Sequence, residues 1–133
     1  MKGLSTVAKD KEIYAIVLRK NYAGRGPSFF TPGEFSQQLG LLAHPRGKIV
    51  RRHRHKLVKR EIFRTQEVLV VLAGRIRVDL YDDAGAKLKT VLLGPSDTIL
   101  LARGGHTVTV LDDAKIIEVK QGPYAGFDDK EFF

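Results

Sequence analysis

Hydrophobic positions in this chain fall in short runs broken by turn residues, and several runs alternate with a period of two. Residues 76–81 set Ile76, Val78 and Leu80 against Arg77, Asp79 and Tyr81, which predicts a strand with one buried face. Residues 12–19 (EIYAIVLR) and 68–72 (VLVVL) are apolar on both faces and read as strands that need cover on two sides. Further strands are predicted at 87–93, 98–102, 107–111 and 115–120. They are separated by Ala73-Gly74, Asp82-Asp83-Ala84-Gly85, Gly94-Pro95-Ser96-Asp97, Gly104-Gly105 and Asp112-Asp113. In 115–120, Glu118 and Lys120 alternate with Ile117 and Val119 and are expected to face solvent. Towards the N-terminus, 28–31 reads as a short aromatic strand. Residues 35–43 fit a short helix or a strand, with Gly40 favouring the strand, and 1–11 read as a loose polar arm. The best helical candidate, 57–72, turns β-branched and aromatic in its C-terminal half. Short strands at this turn spacing predict an all-β antiparallel sandwich or barrel.

Composition fits one soluble domain spanning 1–133: 43% hydrophobic, 29% charged, with no internal repeat. The absence of cysteine removes disulfide and thiolate chemistry and suits a reducing compartment. No apolar run approaches membrane-spanning length, and the first residues lack the apolar core of a leader peptide, so the expectation is a cytoplasmic protein without a membrane partner.

The net charge of +8 is local rather than general. Residues 46–60 hold eight Lys or Arg and no Asp or Glu, and the remainder carries fifteen of each sign. A nucleic-acid footprint wants a broad basic face, often with aromatic side chains for single strands; this run has none before Phe63, so nucleic acid is not the expected partner. No phosphate-cradling glycine loop and no nucleophilic triad are visible.

The same run contains His53 and His55. In an extended strand both would point to one side, whereas on a helix they would diverge by about 200°. Two imidazoles converging with a carboxylate make up much of a metal's coordination shell, and the competing reading is a solvated basic stretch. Arg51 shares the histidines' side and could draw an anionic substrate to the mouth of a site, while Arg52, Arg54 and Lys56 point the other way. His106 follows Gly104-Gly105, a pair that lets the backbone turn sharply and approach another group closely. His44 precedes a proline and reads as a surface residue.

Gly47, then KIVRR, His53-Arg54-His55, and Glu67-VLVVLA-Gly74 together resemble the first motif of the cupins, small jelly-roll barrels. Pro95-Ser96-Asp97 through Gly104-Gly105-His106 resembles their second motif, without its glycine at Ser96 and without its later proline and asparagine. The resemblance covers about 47–120, and the closing IIEVKQGPYAGFDDK is similar to the end of small single-domain cupins met in surface-polysaccharide and sugar-nucleotide settings. It implies a single-domain jelly-roll β-barrel, a homodimer, and a metal held by His53, His55, Glu67 and His106. One divalent transition metal is implied, Fe, Mn, Ni or Zn. The eleven residues between His55 and Glu67 exceed the family's usual gap, which makes Glu61 a rival to Glu67.

Three functions follow as expectations. The first is a metal-dependent enzyme, of isomerase, epimerase or oxygenase type, acting on a small polar or anionic molecule such as a sugar derivative. The second is a non-catalytic metal- or ligand-binding cupin. The third is a polyanion or nucleic-acid binder working through residues 46–60.

Overall fold

The computed structural model describes residues 2–133, the side chains of Phe127 and Asp128 excepted. It is all-β, with ten strands, a short 3-10 turn at Gly126–Asp129, and no α-helix among the described residues. The strands are β1 (Leu4–Lys9), β2 (Glu12–Leu18), β3 (Ser28–Phe29), β4 (Gly40–Leu41), β5 (Glu67–Ala73), β6 (Ile76–Tyr81), β7 (Lys87–Leu93), β8 (Thr98–Leu101), β9 (Gly105–Val110) and β10 (Lys115–Lys120). All pairings are antiparallel. A five-stranded sheet has the order β1-β2-β8-β5-β10, a three-stranded sheet the order β7-β6-β9, and β3-β4 forms a small hairpin.

The two larger sheets share one core. Ala15, Val17, Leu69, Val71, Ile99 and Leu101 from the first meet Ile76, Val78, Leu80, Val91 and Leu93 from the second. These are the alternate positions of each strand, so the period of two has become a face.

The expected loose arm at 1–11 is instead a paired strand. Val7 buries against the shared core, and Asp10 and Lys11 both take positive φ (51° and 65°), closing a two-residue hairpin onto Glu12. Such turns are usually built with glycine or asparagine, so Asp-Lys gave no turn signal.

The second apolar face of β2, β5 and β8 is covered from within the chain. Ile16, Val68 and Leu100 pack beneath Phe30, Phe35 and Leu39 of the β3–β4 segment. Gln66, buried, fixes that cover: its side-chain oxygen accepts from Ser36 Oγ (3.2 Å) and Gln37 N (3.0 Å), and its amide donates to Ala102 O (3.4 Å). The cover that these strands need on their second apolar face is therefore supplied within the chain. No helix among the described residues is long and apolar enough to cross a membrane.

Residues 42–66 form no strand. From 49 to 65 no main-chain group bonds to another main-chain group among the described residues, and residues 43–65 are all exposed. The strand expected around His53 and His55 is an unpaired arm.

Candidate functional site

β5 enters the five-stranded sheet at Glu67, whose cross-strand partners are Leu101 of β8 and Lys120 of β10. β9 begins beside Tyr81 of β6, and His106 lies opposite the buried Leu80. Both side chains point into the space between the sheets, and at its open end Glu67 Oε1 meets His106 Nε2 at 2.9 Å.

The glycine pair explains how His106 gets there. Gly104 has φ +72°, with the Tyr81 carbonyl and the Tyr14 ring packed where a side chain would stand, and Gly105 lies directly under the Phe133 ring. The close approach anticipated for this pair is thus to Tyr81 and to the chain's own C-terminus, where Phe133 stacks edge-on against Tyr81 with centroids 5.5 Å apart.

A cleft of about 700 Å³ opens over the pair, lined by Thr65, Glu67, Tyr81, His106, Glu118, Lys120 and the C-terminal residues among others. Its electrostatics centre on Glu67. The hydrogen bond from His106 is the largest influence and lowers the carboxyl to about 2, outweighing partial burial, with Glu118 and Lys120 adding to the effect. The neighbouring Glu118 is pushed upward, first by its hydrogen bond to Glu67 and then by desolvation. A proton shared by these two carboxyls therefore resides on Glu118, leaving Glu67 ionised. Lys120 Nζ lies 3.4 Å from Asp129 Oδ2, and Thr65 Oγ1 donates to Asp129 Oδ1 at 3.0 Å, tying the C-terminal turn to the cleft.

Glu118 and Lys120 are exposed, as their alternation suggests, but they lie on the cleft side of β10. Ile117 and Val119 occupy the outer side at 48% and 50% exposure. The register Lys120↔Glu67 is a long-range pairing that no local pattern encodes.

The remaining candidates lie elsewhere. His53 and His55 are on the arm, rings 5.5 Å apart between centroids and nearly perpendicular, on a common side as an extended backbone dictates. His53 Nδ1 donates to Arg51 O at 2.7 Å. Neither histidine lines the cleft of Glu67 and His106, and neither does Arg51. Glu61 borders a separate cleft of about 980 Å³ with Phe35, Gln66 and Arg103. His44 is exposed. Among the described residues, no three His, Asp or Glu side chains of one copy are grouped to hold a metal ion. One chain thus presents a Glu–His pair in a cleft and a His–His pair on an arm.

No protein-family model matches this chain, and neither does any curated protein or solved structure.

Proposed function

We propose that this chain is a cupin-type jelly-roll protein that binds one divalent transition metal, and that it is a metal-dependent enzyme acting on a small polar or anionic molecule such as a sugar derivative. The observation that carries the reading is the contact between Glu67 and His106 across the two sheets, at the floor of an open cleft. A carboxylate and an imidazole at hydrogen-bond distance are a fitting half of a coordination shell for Fe, Mn, Ni or Zn, and His53 and His55 supply the same chemistry in a second pair. The order of these residues along the chain is that of the cupin motifs.

Within this reading Glu67 and His106 hold the metal, with His53 and His55 completing its shell. The bound metal supplies Lewis acidity. Lys120 offers the cleft a positive charge for an anionic group, and Glu118 lines the same cleft beside Glu67. Phe133 and Tyr81, stacked edge-on beside the glycine pair, give that side of the cleft an aromatic surface. Closure of the sheets into a barrel and assembly as a homodimer belong to the same reading.

The test is elemental analysis of untagged protein, followed by a screen of sugars, sugar phosphates and small organic acids with and without the bound metal. Turnover that depends on the metal supports an enzyme, and metal-dependent binding without turnover leaves a non-catalytic cupin. The basic residues of the arm are exposed throughout, which favours a polyanion binder as second reading. In that case affinity for DNA or RNA would be tight and fall steeply with salt.

A further inference from the structure

We infer that the arm formed by residues 48–63 is exchanged between two copies of this chain, so that His53 and His55 of one copy complete the metal site begun by Glu67 and His106 of the other. The inference rests on the metal-binding reading above and adds which chain provides each half.

The arm is built like a strand but pairs with no strand of its own copy among the described residues. Ile49, Arg51, His53, His55 and Leu57 fall on one side of an extended backbone, and Val50, Arg52, Arg54 and Lys56 on the other. Ile49, Leu57 and Phe63 are exposed at 83%, 103% and 94%. Apolar side chains held this far from any neighbour favour burial, and the outer face of the five-stranded sheet is closed to them by the β3–β4 segment.

The acceptor surface is present on the same molecule. β9 and β10 are the edge strands of the two sheets, each bonded on one side only among the described residues. Val108 and Val110 share His106's side of β9 and are exposed, although their partners Val78 and Ile76 are fully buried. The open end between β9 and β10 is thus an unfinished layer with a free hydrogen-bonding edge. Charge agrees: the cleft is lined by Glu67, Glu118, Asp129 and Glu131 against His106, Lys120 and Lys130, whereas residues 46–60 carry eight basic side chains and no acid.

The occupant is a second copy because the exchange is self-complementary. Each chain carries one arm and one unfinished cleft, so a two-fold axis places both arms and completes both sites at once. The sixteen residues of the arm span about 50 Å when extended, well beyond the ~10 Å between packed sheets. Strand addition to β9 would set His53, His55 and Arg51 on the inner side with His106, and Arg52 and Arg54 outside beside Thr107 and Thr109.

Subunit complementation tests this. One variant carries His53→Ala and His55→Ala, the other Glu67→Gln and His106→Ala, and they are co-expressed with different tags. Wild-type dimers are expected to bind two metals and each variant alone none. Dimers containing one copy of each are expected to regain one, because an intact arm meets an intact cleft across the axis. Wild-type protein that binds metal while mixed dimers bind none, or a monomer in light scattering, overturns the exchange and leaves the metal reading standing. If the wild type binds no metal, that reading fails, and the exchange is decided without metal. Because the chain lacks cysteine, Leu57→Cys in one copy and Val108→Cys in the other provide the only thiols. A short bis-maleimide is expected to join the two differently tagged chains, and its failure to do so overturns the exchange.

Discussion

Glu67 and His106 belong to different sheets and are separated by a long stretch of chain, yet Oε1 and Nε2 lie 2.9 Å apart. Glu61, the rival acid, borders the other cleft with Phe35 and Arg103. Glu67→Gln is therefore expected to weaken metal affinity at least tenfold, and Glu61→Gln to change it less than twofold. Metal titration of the two variants side by side is the check, and a larger loss in Glu61→Gln would contradict the assignment.

Gly74 closes the β5–β6 turn with φ +77°, and the Asp113 carbonyl packs where a Cβ would project. Gly74→Ala meets both a left-handed backbone and a main-chain clash, and is expected to cost about 2–4 kcal/mol in denaturant unfolding. A variant as stable as the wild type would show that the β9–β10 turn moves aside freely.

Ser96 occupies the third position of the turn Gly94-Pro95-Ser96-Asp97 with φ +68°, and Asp97 N closes it on Gly94 O at 3.0 Å. A non-glycine residue at that angle is strained, and a turn with positive φ at its third position favours glycine there. Ser96→Gly is expected to be neutral to stabilising by up to about 1 kcal/mol in thermal unfolding, and destabilisation would argue that the serine hydroxyl matters.

Asp97 anchors that turn by accepting hydrogen bonds from Gly94 N at 2.9 Å, Lys20 N at 3.1 Å and Arg19 Nη1 at 3.1 Å. Burial alone would raise its carboxyl, but the two main-chain donors and the Arg19 guanidinium outweigh it and hold it below the usual 3.8. A carboxyl lowered in the folded state stabilises in full above its ordinary value and loses that contribution as pH falls through the folded one. Asp97→Asn is expected to cost about 1–2 kcal/mol at neutral pH, where solvent screens the partly exposed Arg19. Its deficit relative to the wild type should shrink below about pH 4 in urea unfolding. A deficit unchanged down to pH 3 would contradict the ionic origin of the anchor.

The sheets were legible where local pattern and tertiary role coincide. Ile76, Val78 and Leu80 alternate and are buried, and the turn at Gly74 has the left-handed geometry its residue type suggests. Sequence failed where a distant partner decides. Val7 makes a strand of the expected loose arm, and Phe30, Phe35 and Leu39, whose role no local pattern encodes, cover the second apolar face of β2, β5 and β8. At the candidate site, Glu67 and His106 were each singled out in the sequence, but their contact depends on two sheets facing each other. Glu118 and Lys120 were read as solvated, because only the register with β5 places them at the cleft. The residues around His53 carry a strand's alternation but pair with no strand of their own copy among the described residues.

The central claim is a metal site assembled from a Glu–His pair and a His–His pair, and metal stoichiometry tests it most directly. Untagged protein is stripped with a chelator, re-exposed separately to Fe(II), Mn(II), Ni(II) and Zn(II), desalted and measured by elemental analysis beside the His53→Ala, His55→Ala double variant and His106→Ala. The expected result is about one metal per chain in the wild type and essentially none in either variant, each still folded by circular dichroism. A wild type that retains none of the four metals, or variants that retain as much as it does, would contradict the claim.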